Sequence, residues 1–82
     1  VLGASPRSYA DPETRRRVEE RRGAPPWELV PVDDAAYGDG QIAARAVDEI
    51  RRFGQSRDPF FLAVGFLRPH LPFTAPQRYW DM

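Results

Sequence analysis

The sharpest pattern along the chain lies between residues 40 and 53, where Ile42, Ala43, Ala46, Val47, Ile50 and Phe53 recur at steps of three and four. That spacing puts them on one face of an α-helix. Arg45, Asp48, Glu49, Arg51 and Arg52 take the other side, with the last two in the final turn, where a cation complements the helix dipole. Asp39 stands where an N-cap belongs and Gly54 where a C-terminal glycine cap belongs: a carboxylate accepts an orphan amide, and glycine reaches the left-handed conformation without a Cβ clash. The pattern predicts an amphipathic helix over about 40–53, roughly 21 Å long.

A polar turn over 55–59 leads into Phe60-Phe61-Leu62-Ala63-Val64-Gly65-Phe66-Leu67, an apolar run with no polar break. A strand with one wet face would alternate, so this run predicts a parallel strand over about 60–66 that is covered on both faces. Helix, turn and strand make half of a βαβ unit. The expected fold class is therefore α/β, with the partner strands expected outside this sequence.

Residues 1–38 contain five of the nine prolines and no long apolar periodicity, the signature of an irregular, Pro-rich surface excursion. One short polar helix is expected within it. Asp11 serves as N-cap, Pro12 and Glu13 open the first turn, and Thr14 to Arg22 follow, with Gly23 beyond the end. Val18 is the only large hydrophobe on that helix, so it should lie on the surface. Arg15-Arg16-Arg17 and Arg21-Arg22 are interleaved with Glu19 and Glu20, a spacing that suits ion pairs along a solvated face better than a phosphate-binding patch. Ala24-Pro25-Pro26-Trp27 should run extended.

Charge narrows the partner classes. Twelve basic residues, all Arg, balance twelve acidic ones to a net charge of zero, so no global field draws the chain to nucleic acid or to an anionic membrane. The absence of cysteine excludes a disulfide, a thiolate metal cage and a cysteine nucleophile within these residues. No apolar run approaches the ~20 residues of a membrane-spanning helix, and Val1-Leu2-Gly3 lacks the basic region of a signal peptide. An 82-residue chain buries only about 60–65% of its unfolded surface. With Tyr79 and Trp80 arriving where the sequence stops and Val rather than Met at its start, the expectation is one segment, 1–82, of a larger domain.

Chemistry concentrates in Arg68-Pro69-His70-Leu71-Pro72-Phe73. In open α/β sheets ligands bind beyond the carboxyl ends of the strands, and His70 follows the predicted strand. The two prolines restrict the backbone on either side of it, and a rigidly held group is what catalysis needs. Histidine exchanges a proton near neutrality, and Arg68 could offer a fixed positive charge to an anionic substrate. A purely structural histidine in a Pro-rich turn is the alternative reading of the same residues.

Tyr37-Gly38-Asp39-Gly40-Gln41-Ile42-Ala43, the helix, Asp58-Pro59-Phe60-Phe61-Leu62-Ala63-Val64-Gly65-Phe66-Leu67-Arg68-Pro69-His70-Leu71-Pro72-Phe73, and then Ala75-Pro76 with Tyr79-Trp80 together resemble the iduronate-2-sulfatase-like branch of the type I sulfatases. The resemblance covers 37–82 and leaves 1–36 as a variable surface region without a motif. It implies a parent enzyme of alkaline-phosphatase-like α/β fold that hydrolyses sulfate esters. There a formylglycine made from Cys or Ser attacks sulfur, a calcium ion offsets sulfate charge, and a histidine assists the leaving oxygen. His70 is the match for that histidine, as catalytic proton donor or sulfate ligand. Arg68 stands where the family usually carries Lys, as a substrate-binding candidate. The substrate implied is a sulfated small molecule or sulfated carbohydrate, and the compartment is extracytoplasmic: periplasmic, secreted or lysosomal. Ser5-Pro6-Arg7 has the wrong spacing for the nucleophile motif. No residue is assigned to metal: Asp33-Asp34 precedes the matching region, so nucleophile and calcium ligands are expected elsewhere in the parent. Two other readings remain open: a phosphate or phosphonate ester hydrolase on the same scaffold, and a non-catalytic packing or interaction segment.

Overall fold

The computed structural model describes residues 4–82; Val1-Leu2-Gly3, read above for a signal peptide, lies outside the described residues. Its elements are a 3-10 turn Pro6–Ser8, helix α1 (Pro12–Glu19), strand β1 (Trp27–Val30), a 3-10 turn Asp34–Ala36, helix α2 (Gly38–Gly54), strand β2 (Phe73–Pro76) and a terminal helical turn α3 (Gln77–Trp80). β1 and β2 pair in parallel, Trp27 with Phe73 through Val30 with Pro76, and α2 lies in the connection between them. The fold is mixed α/β, and the chain contains a whole βαβ unit rather than half of one.

The strands are not where the apolar run predicted. Residues 60–66 form no strand, and most of them are exposed, Phe61 to 91%. An unbroken apolar run requires cover on both faces and a ladder on both edges; here α2 covers one face and, among the described residues, no neighbouring strand supplies a ladder. The run instead returns along α2. Phe60 stacks on Phe53, ring centroids 4.9 Å apart, and the Leu67 and Arg68 amides meet Asp39 at the opposite end of the helix. About seven extended residues at 3.3 Å each span about the same length as fourteen helical residues at 1.5 Å, which is why the two ends coincide.

β1 was hidden by its flanks. Trp27, Leu29 and Val30 favour strands, but Pro25-Pro26 and Pro31 bracket them and Glu28 interrupts them. Along both strands the fully buried positions are polar or proline: Glu28, Thr74 and Pro76 are buried while Trp27, Leu29 and Phe73 are exposed. Trp27 and Trp80 pack at 6.2 Å with rings tilted by 58°, and the Trp80 indole N–H donates to the Ala75 carbonyl at 3.2 Å. The N-terminal region, expected to be surface, contributes the fully buried Tyr9.

Both helices form, with shifted ends. Asp11 caps α1 through the amides of Glu13 and Thr14, its carboxyl held below the usual carboxylate range first of all by the Thr14 hydroxyl. α1 stops at Glu19 because Arg21 and Gly23 both have positive φ, 57° and 115°. It carries no buried residue, as expected; of the anticipated ion pairs, Arg22 finds Glu20 while Arg15 bonds the Tyr9 carbonyl. α2 begins two residues early, so Tyr37 is its N-cap and Asp39 lies inside the first turn. Gly54 is the last helical residue and Gln55, in right-handed geometry, closes the helix. Of its apolar face Ile42, Ala46 and Phe53 are half-buried, as is Glu49, while Ala43, Val47 and Ile50 are exposed. Gly40 is required where α2 crosses the second 3-10 turn, because a Cβ there would overlap the Asp34 carbonyl. The radius of gyration, 15.7 Å, exceeds the ~12 Å of a compact chain of this length: α2 and the returning run project from the small sheet. Among the described residues no helix is long and apolar enough to cross a membrane.

Candidate active site

His70 sits in the turn between the returning run and β2, so it precedes a strand instead of following one. The turn is closed by the His70 amide donating to the Leu67 carbonyl at 2.9 Å. Both Arg68–Pro69 and Leu71–Pro72 are cis, and Pro72 is fully buried, which anchors the turn beneath the exposed imidazole. Nδ1 lies 2.6 Å from the Leu71 carbonyl oxygen. A carbonyl can only accept, so Nδ1 carries the hydrogen, and among the described residues Nε2 has no partner.

Arg68 is half-buried behind that turn. Its guanidinium donates to the His70 carbonyl at 2.9 Å and to the Thr74 hydroxyl at 3.1 Å, while its amide and that of Leu67 donate to the two carboxylate oxygens of Asp39 at 2.9 and 2.8 Å. Arg68, Asp39, Tyr37, Thr74 and Tyr79 line a cleft of about 240 Å³; His70 is not among its lining residues. The structure thus puts the two sequence candidates on one turn but on different sides of it. A separate groove of about 490 Å³ between α2 and residues 62–65 is lined by Ile42, Ala46, Leu62 and Val64, with Arg45 and Glu49 paired to each other.

Beneath the turn is a buried polar cluster that the sequence did not announce. The Glu28 carboxylate, 6% exposed, accepts from the Ala10 amide at 2.7 Å, the Asp11 amide at 3.0 Å and the Tyr37 hydroxyl at 2.7 Å. Three donors satisfy a charge that would otherwise be costly to bury. Burial, then the bond and charge of Glu28, raise the Tyr37 pKa above its ordinary value; burial, then the Glu28 charge, raise that of Tyr9. A charged residue inside a run of strand formers was the available signal for Glu28. Asp39 gave none, since its partners lie 28 and 29 positions away.

The residues present do not fit a calcium site. Among the described residues no group of three or more His, Cys, Asp or Glu converges. The Asp34 carboxylate accepts from Arg78 and from the Tyr79 hydroxyl at 2.9 and 3.1 Å. Ser5 accepts from the Arg7 amide at 3.2 Å as a local cap.

In sequence the chain is similar to sulfatases. It is 33% identical to human iduronate 2-sulfatase over 54 residues, 66% of this chain and 10% of that protein. To a sulfatase of Formosa agariphila it is 37% identical over 57 residues, 68% of this chain and 11% of that one. To an arylsulfatase of Clostridium perfringens it is 42% identical over 41 residues, 50% of this chain and 8% of that enzyme. The chain therefore spans about a tenth of the length of the curated relatives it matches. No family model and no solved structure matches it.

Proposed function

We propose that this chain works as part of a sulfatase domain of alkaline-phosphatase-like fold that hydrolyses esters of sulfated small molecules or carbohydrates, with His70 as leaving-group proton donor or sulfate ligand. The observation that carries the reading is the exposed imidazole with Nδ1 tied to Leu71 and, among the described residues, no partner at Nε2. Cleaving the S–O bond of a sulfate ester releases an oxygen that departs poorly as an alkoxide. A ring entering as imidazolium donates Nε2–H to that oxygen and leaves as the neutral Nδ1–H form. The Leu71 carbonyl accepts from Nδ1 in both states, so the ring transfers its proton without turning. Arg68 adds a fixed positive charge behind the turn, held in place by Thr74 and the His70 carbonyl. The nucleophile and the calcium ligands that the family resemblance implies would come from other residues of the same polypeptide.

The test is the ester class. The complete polypeptide carrying this chain is expected to turn over 4-nitrophenyl sulfate with a kcat/KM well above that for 4-nitrophenyl phosphate. The reverse preference would assign the scaffold to phosphate esters and overturn the reading.

A further inference from the structure

We infer that Asp39 is a positioning residue for His70, acting through the main chain and guanidinium of Arg68; the inference rests on the proton-donor reading above. Asp39 would be expected to serve its own helix, yet Tyr37 is the N-cap of α2 and both Asp39 carboxylate oxygens are spent elsewhere. Oδ1 accepts from the Leu67 amide at 2.8 Å and Oδ2 from the Arg68 amide at 2.9 Å. These two amides open the turn whose closing bond runs from the His70 amide to the Leu67 carbonyl. Leu67 is thus held on both sides, its N–H by Asp39 and its C=O by His70. Arg68 continues the linkage, since its guanidinium reaches the His70 carbonyl and the hydroxyl of the buried Thr74.

Among the described residues, the Asp39 carboxylate supplies the side-chain hydrogen bonds that tie the turn to α2. Two neighbouring amides pointing the same way need two acceptors, and a carboxylate supplies both without a donor of its own. An asparagine in its place keeps one acceptor and turns an NH₂ towards the other amide. Because a displacement of about 1 Å at a catalytic group can cost about 10²-fold in rate, releasing this clamp should be read in turnover more than in folding.

The experiment compares Asp39→Asn, His70→Ala and the double variant in the complete polypeptide, with an alkyl sulfate and with 4-nitrophenyl sulfate. Asp39→Asn is expected to lower kcat/KM for the alkyl sulfate about 10- to 10²-fold, to affect the nitrophenyl ester much less, and to add almost nothing on top of His70→Ala. Amide hydrogen exchange in the same variant should speed up at Leu67 and Arg68 while α2 stays protected. Equal losses on both esters, or losses that multiply in the double variant, would show that Asp39 acts on the fold or on another group and would overturn the inference. A damaged His70→Ala beside an unimpaired Asp39→Asn removes the Asp39 role and leaves the proton donor standing. An undamaged His70→Ala removes both.

Discussion

Replacing His70 by Ala in the complete polypeptide lowers kcat/KM for an alkyl sulfate by about 10²–10⁴-fold, the range that a positioned general acid contributes. The same change costs far less with 4-nitrophenyl sulfate, because a nitrophenolate leaves without a proton. That contrast separates the two duties His70 could have. A sulfate ligand contacts the group common to both esters, so its loss slows both alike. A proton donor touches the oxygen that differs between them, so its loss follows the leaving group. The ring, fixed by Leu71 at Nδ1, offers Nε2 in either duty, so the contrast between the two esters decides between them. Equal losses on the two esters would reassign His70 to sulfate binding, and no loss on either would end its role in the reaction.

Glu28→Ala is expected to be the most damaging substitution for stability, at about 3 kcal/mol or more. It leaves the amides of Ala10 and Asp11 and the hydroxyl of Tyr37 without their acceptor, and each buried donor so stranded costs about 1–3 kcal/mol. Glu28→Gln retains one acceptor oxygen and should fall between the variant and the parent. The cluster also predicts an alkaline limb. Tyr37 and Tyr9 have folded pKa values raised above their ordinary value, so the folded state holds protons that the unfolded chain releases. Their contribution is fully present below about pH 10 and declines as pH rises above it. Urea denaturation across that range checks both points. A Glu28→Ala chain as stable as the parent, or stability that rises above pH 10, would contradict the role given to the cluster.

What the sequence disclosed depended on how local the cause was. The body of α2 was legible because its apolar positions repeat over four turns, and the start of α1 because Asp11 and Pro12 act on their own neighbours. The end of α2 was misjudged by a residue or two because Gly54 could continue the helix as readily as stop it. The apolar run at 60–66 was misread for a different reason: such a run states that both of its faces prefer cover, without stating which partner supplies it. β1 and β2 are four residues each, bracketed by prolines, and their inward faces carry Glu28 and Thr74, so no hydrophobic alternation marked them. At the site, His70 and Arg68 were visible as residue types in a stiff turn. Asp39 was visible only as a cap, since the bonds it makes span nearly the whole of α2 and the returning run.

The same fold explains why the turn matters more than its size suggests. α2 measures out a distance, the run from Phe60 to Leu67 retraces it, and Asp39 receives the chain at the far end. His70 is then delivered beside the first residue of β2, over the buried Pro72. Sequence sets the length of the helix, the length sets where the turn falls, and the turn sets which imidazole nitrogen is offered.

The most direct test of that last step is the ring itself. The chain has one histidine, so ¹⁵N labelling of its imidazole gives one pair of nitrogen resonances whose shifts and couplings report which nitrogen bears hydrogen in the neutral form. The account predicts hydrogen on Nδ1 and a bare Nε2. Hydrogen on Nε2, with Nδ1 bare, would mean that Leu71 does not hold the ring and that the atom assigned to proton transfer is the wrong one.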